Sequence, residues 1–211
     1  MDIVYQDERI VVAIKPAGVI STDVRNGMPE LLRRQLHTDC IRTVHRLDAP
    51  VSGLMVLARS SRAAAEISSQ IRDGAFSKAY LAVLRGVPQE MSGELIDLLG
   101  RDRERRMTYV ADAPGKGVQE ARLRYEVLAV RDGLSLVRVE LLTGRTHQIR
   151  VQFASRGLPL AGDRRYGSPG DLLSPIALWS AHLSFRHPET GAEMTFDRQP
   201  PAIPPWDVFG I

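Results

Sequence analysis

Thr43-Val44-His45-Arg46-Leu47-Asp48-Ala49-Pro50-Val51-Ser52-Gly53-Leu54-Met55-Val56-Leu57-Ala58 sets a histidine, an arginine and an aspartate directly ahead of five consecutive apolar residues. An uninterrupted apolar run of that length reads as a strand covered on both faces, because a strand with one wet face would alternate. Arg46 and Asp48 are two positions apart, so in an extended segment they share a face, while Pro50 and Gly53 set a turn that holds the carboxylate in place. Loops braced by rigid elements are where reactive groups collect. Taken alone, the cluster has a plainer account: a surface Arg-Asp pair, worth under about 1 kcal/mol, beside a satisfied histidine.

Short strands dominate on either side of this stretch. Ile3 to Tyr5 and Ile10 to Ile14 predict a hairpin turning at Asp7-Glu8-Arg9 and ending at Pro16 and Gly18, which cannot continue a ladder. A helix follows Ser60-Ser61, where a hydroxyl caps the first turn, and carries Ala64, Ile67, Ser68 and Ile71 at helical spacing up to Gly74. Another runs from Pro29 through Leu36. Ala79 to Leu84, Gly93 to Leu98, Met107 to Val110, Arg122 to Val130 and Leu134 to Leu141 predict antiparallel strands, with Leu123, Tyr125 and Val127 on one face. Thr146 then caps a short helix with Ile149 and Phe153 inward, stopped by Gly157. The tail from Pro200 to Trp206, with four prolines, is expected to lie extended on the surface. The sum is an α+β fold, a mixed but mostly antiparallel sheet with a few flanking helices, in a single domain over residues 1–211.

Composition narrows the class. With 44% hydrophobic and 25% charged residues in 211, the chain has the balance of a globular protein rather than of a disordered one or a membrane bundle. The longest uncharged stretch, Leu172 to Phe185, is too short to cross a bilayer. No basic segment followed by an apolar run opens the chain, and the single cysteine, Cys40, allows neither an intrachain disulfide nor a cysteine metal cluster, so a cytoplasmic setting without membrane contact is expected. Of 28 basic residues only Lys15, Lys78 and Lys116 are lysines, leaving 25 arginines. A planar guanidinium grips phosphate with two parallel bonds and stacks on bases, which suits a nucleic-acid partner, although GC-rich codons explain the bias equally well.

A second cluster, Thr143-Gly144-Arg145-Thr146-His147-Gln148-Ile149-Arg150-Val151-Gln152, sits at the mouth of the last predicted helix. Gly144 admits close approach, the helix start offers amides and Arg145 a phosphate fork, so the segment reads as an anion site. Arg150, flanked by Ile149 and Phe153, is expected to be partly buried, and a buried guanidinium needs a carboxylate or phosphate partner. Lys78-Ala79-Tyr80 places a cation and an aromatic on one face of a strand start. Gly100 to Arg106, with Arg101 and Arg103, is an arginine-rich segment in which Asp102 and Glu104 fit a solvated mixed-charge turn.

In order along the chain, Lys15-Pro16-Ala17-Gly18, His45-Arg46-Leu47-Asp48 with Ser52-Gly53, Lys78-Ala79-Tyr80, Gly144 through Arg150, Gly162-Asp163 and Tyr166-Gly167 resemble the RluA-type RNA pseudouridine synthases. The likeness runs from about residue 3 to about residue 200. It departs from the family pattern at Ile14, where asparagine is frequent, and at Leu123, where threonine is common. The family's frequent N-terminal S4-type RNA-binding module is expected to be absent. The resemblance implies a central RNA-binding cleft and isomerisation of a uridine in a transfer RNA or large-subunit ribosomal RNA stem-loop, with no metal and no cofactor. It implies Asp48 as the catalytic carboxylate, Arg150 as the cation that keeps it ionised, and Tyr80 as the aromatic stacked on the target base. Arg46 would fill the gap left by the everted nucleotide, and His45, Lys78, Arg145, Thr146, Lys15, Arg101 and Arg103 would contact RNA, the last two from a candidate RNA-clamping hairpin at Gly100 to Arg106. A monomer is the expected state.

Rival readings are weaker. A hydrolase using Ser52, His45 and Asp48 lacks a Gly-x-Ser-x-Gly elbow. A metal phosphoesterase using His37, His45, Asp48 and His147 lacks ligands paired at helical intervals. A non-catalytic RNA-binding or ribosome-assembly protein on the same fold would have no reason to keep Asp48, Tyr80 and Arg150 together.

Overall fold

The computed structural model describes residues 1–167, Asp171 and residues 175–211, and in it all five residues from Leu54 to Ala58 are fully buried. Along the chain the elements are β1 (Asp2–Gln6), β2 (Ile10–Lys15), α1 (Met28–Leu36), β3 (Arg42–Thr43), β4 (Ser52–Ala58), α2 (Ser61–Arg72) and β5 (Ser77–Arg85). Then come β6 (Ser92–Asp102), β7 (Met107–Ala111), β8 (Gln119–Arg131), β9 (Leu134–Leu141), α3 (Gln148–Ala154), β10 (Leu178–Arg186) and β11 (Glu193–Asp197). The chain divides into two compact units, Met1–Lys78 with Trp179–Gln199 and Ala79–Leu178 with Pro200–Ile211.

The first unit is organised around β4. Leu54 and Val56 pack with Ile10, Val12, Leu183, Phe185 and, from α2, Ile67. Met55 and Leu57 point the other way, onto Val11, Ala13, Ile41 and the α1 residues Met28 and Leu32. Each such side chain contributes about 1.5–3 kcal/mol when fully buried, so both faces of β4 must be apolar. β1 and β2 form the expected hairpin, β2 and β3 lie antiparallel to β4, β11 lies antiparallel to β10, and β10 runs parallel to β4. That parallel pairing sets Ser180 opposite Gly53, whose φ is 118°. A Cβ there would lie 2.4 Å from the Ser180 backbone nitrogen and oxygen, so only glycine fits the junction. α2 is capped as predicted, the Ser60 hydroxyl accepting the Ala63 N–H at 3.1 Å.

The second unit is an antiparallel sheet in the order β5-β9-β8-β6-β7. α3 packs on it: Val151 meets Leu99 and Ala121, and Phe153 sits edge-on to Tyr125 with ring centroids 5.6 Å apart. Two details differ from expectation. Thr146 does not cap α3; His147 takes the cap position in the left-handed region, φ 54°, and the Thr146 carbonyl instead accepts the Thr108 hydroxyl at 2.9 Å. The tail lies on the surface only in part: residues 201–204 are exposed, but Trp206 is 5% exposed and is followed by a 3-10 turn at Asp207–Phe209.

Candidate active site

In the first unit the Asp48 loop is held by its backbone. The Ser21 hydroxyl oxygen accepts the Leu47 N–H at 3.0 Å, and the same hydroxyl donates to the Leu47 carbonyl at 2.6 Å. Leu47 therefore turns inward, while Arg46 is exposed and Asp48 partly exposed. The Asp48 carbonyl closes a turn with the Val51 N–H at 3.0 Å, and the Ala49 carbonyl accepts the Gly18 N–H at 2.8 Å.

Lys15 completes the bracing. Its side chain is wholly enclosed, 0% exposed, and Nζ donates to the carbonyls of Pro16, Val19 and Ala49 at 3.0, 2.6 and 3.0 Å. Burial pushes its pKa down to about 8, against the opposing pull of the Asp48 carboxylate. With its ammonium on three main-chain oxygens, Lys15 braces the loop from below. His45 is likewise enclosed. The Val56 N–H donates to its Nε2 at 3.1 Å, its ring lies 5.3 Å from that of Phe76, and it is 8% exposed. Burial, followed by the charge of Lys78, pushes its pKa down to about 3, so the ring is neutral. Lys78 itself is partly buried, which lowers its pKa too.

The second unit holds Tyr80 and the Arg150 cluster. Tyr80, on β5 opposite Val139, is 4% exposed. Arg150, 5% exposed, grips Asp163 through Nε and Nη2 at 2.8 and 2.7 Å, and its guanidinium carbon lies 5.1 Å from the centre of the Tyr166 ring. The carboxylate demanded by a buried guanidinium is thus present. Burial alone would raise the Asp163 pKa, but the Arg150 fork and charge and the amides of Arg165 and Tyr166 outweigh it and hold the carboxyl below its ordinary range. The Tyr166 hydroxyl bonds His147 Nδ1 at 2.7 Å and accepts the Thr108 N–H at 2.8 Å. At the α3 mouth the Arg145 amide is already used by the Gln148 side-chain oxygen at 3.0 Å, and Arg145 Nε donates to the Glu120 carbonyl at 2.8 Å. Four expected RNA contacts, Arg101, Arg103, Arg145 and Thr146, line one groove of this unit.

Asp163, Tyr166 and Ser21 had no role assigned from the sequence. Gly162-Asp163 and Tyr166-Gly167 were visible as motif fragments, yet nothing local pairs Asp163 with a side chain 13 residues earlier. No group of three or more potential metal ligands occurs among the described residues. No described helix is long and apolar enough to cross a membrane.

Residues 9–155 match the family model described as RNA pseudouridylate synthase. The chain is 33% identical to the dual-specificity RNA pseudouridine synthase RluA of Salmonella typhimurium, covering 92% of this chain and 90% of that one. It is 32% identical to ribosomal large subunit pseudouridine synthase D of Zymomonas mobilis, over 95% and 69%. A Bacillus subtilis relative, the uncharacterized RNA pseudouridine synthase YhcT, is 34% identical, and the chain spans 65% of its length. Among solved structures, human RNA pseudouridylate synthase domain containing 1 superposes with a TM-score of 0.82 at 26% identity, over 96% of this chain and 84% of that one.

Proposed function

Because this chain belongs to the RNA pseudouridylate synthase family, in its RluA-type branch, we propose that it isomerises a uridine in a transfer RNA or large-subunit ribosomal RNA stem-loop, with Asp48 as the reacting carboxylate. The reaction breaks the bond from N1 of the base to the sugar, turns the base and rejoins it through C5. The C5 proton is lost and N1 gains one, so atoms and electrons balance without a redox partner. Asp48 either adds to the sugar or removes a ribose proton. Arg150 supplies the cation that keeps that carboxylate ionised, and Tyr80 stacks on the base. A stacked uridine cannot present sugar and base together, so it is everted at a cost of a few kcal/mol, offset by phosphate contacts; Arg46 fills the gap. Residues 1–211 act as one catalytic domain, monomeric and cytoplasmic.

The observation that carries this reading is the bracing of the Asp48 loop. Ser21, Gly18 and Lys15 make four hydrogen bonds to Leu47 and Ala49, and two more Lys15 bonds go to the adjoining turn, or, more simply, the main chain on both sides of one partly exposed acid is pinned. Preorganisation of that kind is what a reacting group needs and what a surface ion pair does not. The test is turnover. Asp48→Asn is expected to abolish tritium release from RNA carrying 5-tritiated uridine, a loss of about 10²–10⁴-fold or more, while RNA affinity persists. Retained release removes Asp48 from its role. Mapping pseudouridines across the cellular RNA with and without the gene identifies the site; an unchanged map favours a binder without activity.

A further inference from the structure

The groove in the second unit has a volume of about 1070 Å³, above the roughly 300–1,000 Å³ typical of a pocket for one small ligand. Arg101, Arg103, Arg106, Lys116 and Arg145 line it, and no carboxylate does. Asp102 and Glu104, which interleave these arginines in sequence, are not among its lining residues, and Asp102 accepts the Arg105 amide at 2.9 Å. None of the five cations forms a salt bridge with another described residue.

The sixth lining residue changes the kind of anion such a groove fits. Tyr109, 49% exposed, stands on β7 directly opposite Gly100 of β6. A Cβ at Gly100 would meet the Tyr109 ring at 2.5 Å, so the ring lies across the bare backbone of β6 with one face covered. Its neighbours Thr108 and Val110 point inward, which fixes Tyr109 outward. An aromatic ring clamped on one side and open on the other, among cations, offers a stacking surface to a base, and only an unpaired base can use it. The groove is also tied to the Arg150 cluster: Thr108 donates its N–H to Tyr166 and its hydroxyl to the Thr146 carbonyl.

We propose that this groove binds the unpaired RNA strand next to the target uridine, its cations following the phosphates and Tyr109 stacking on a base that is not the one modified. The proposal rests on the function given above and assigns to Tyr109, Arg106 and Lys116 a part in substrate choice that neither sequence motif carries.

Fluorescence anisotropy of the full chain with a labelled oligouridylate, titrated with salt, tests it. Replacing Arg103, Arg106 and Lys116 together by alanine is expected to flatten the salt dependence by about two in log–log slope, at roughly 0.7 per single-strand phosphate contact. Tyr109→Ala is expected to weaken binding about tenfold at constant slope, Tyr109→Phe to restore it, and neither to alter affinity for a blunt RNA duplex. Unchanged oligouridylate affinity in Tyr109→Ala, an equal effect on the duplex, or an unchanged slope in the triple variant overturns the proposal. Tritium release by the Asp48→Asn variant is read separately: its loss beside unaltered groove variants sinks the groove and leaves the enzyme, and its retention beside the expected binding changes does the reverse.

Discussion

Asp48 and Arg150 sit in regions built on opposite plans. Around Asp48 the protein holds the main chain: Ser21 grips both polar groups of Leu47, and Lys15 and Gly18 meet the Ala49 carbonyl. Around Arg150 it holds the side chain, with a two-bond fork to Asp163 and the Tyr166 ring alongside. A braced backbone keeps its course whatever side chain it carries. A buried ion pair has no such tolerance, because removing either member takes from the other the charge that offsets its burial.

The largest effect is therefore expected at the ion pair. Asp163→Asn or Arg150→Met should each cost about 3–5 kcal/mol in urea denaturation, and the double variant Arg150→Met with Asp163→Leu should recover part of that loss. Strictly additive losses would erase the contrast between the two regions. A smaller loss, about 1–3 kcal/mol, is expected of Lys15→Met, which takes one donor from each of three carbonyls. If Lys15 acts by positioning, kcat should fall with little change in RNA affinity; a variant of native kcat would reduce the brace to a packing element.

The smallest effect is graded by pH. His45 has its pKa near 3 in the folded chain against an ordinary 6.5. Between those values the unfolded chain binds a proton that the folded chain excludes, so stability rises with pH through the window and is lost as pH falls below 6.5, by up to about 1.4 kcal/mol per unit. Unfolding midpoints followed from about pH 7 to about pH 5 should converge for the parent and His45→Gln as the parent loses stability faster. Parallel curves would mean that the ring is reached by water.

How much of this was legible in the sequence depended on whether the deciding partner was local. β4, α2 with its Ser60 cap and the hairpin of β1 and β2 follow from neighbours within a few residues, and they formed within a residue or two of expectation. The need of Arg150 for a carboxylate was readable from its apolar flanks; that Asp163 supplies it was not. Lys15-Pro16-Ala17-Gly18 reads locally as a tight basic turn, and the third acceptor of its ammonium, the Ala49 carbonyl, lies 34 residues on. Thr146 has the right chemistry for a cap, but its hydroxyl does not serve as one, and a left-handed His147 begins α3 instead. The burial of Trp206 was not legible beside four prolines, because the burial of an indole is a tertiary effect invisible in a local window.

The parallel contact of Ser180 with Gly53 carries a consequence for synthesis. The first unit is interrupted: its opening segment ends at Lys78 and its closing segment begins at Trp179. On a ribosome adding roughly 5–20 residues per second, the hundred or so intervening residues take about 5–20 s to appear. Throughout that interval β4 lacks the neighbour that closes its edge, so a nascent chain halted before β10 offers strand pairing to any other chain and is a substrate for chaperones or proteases.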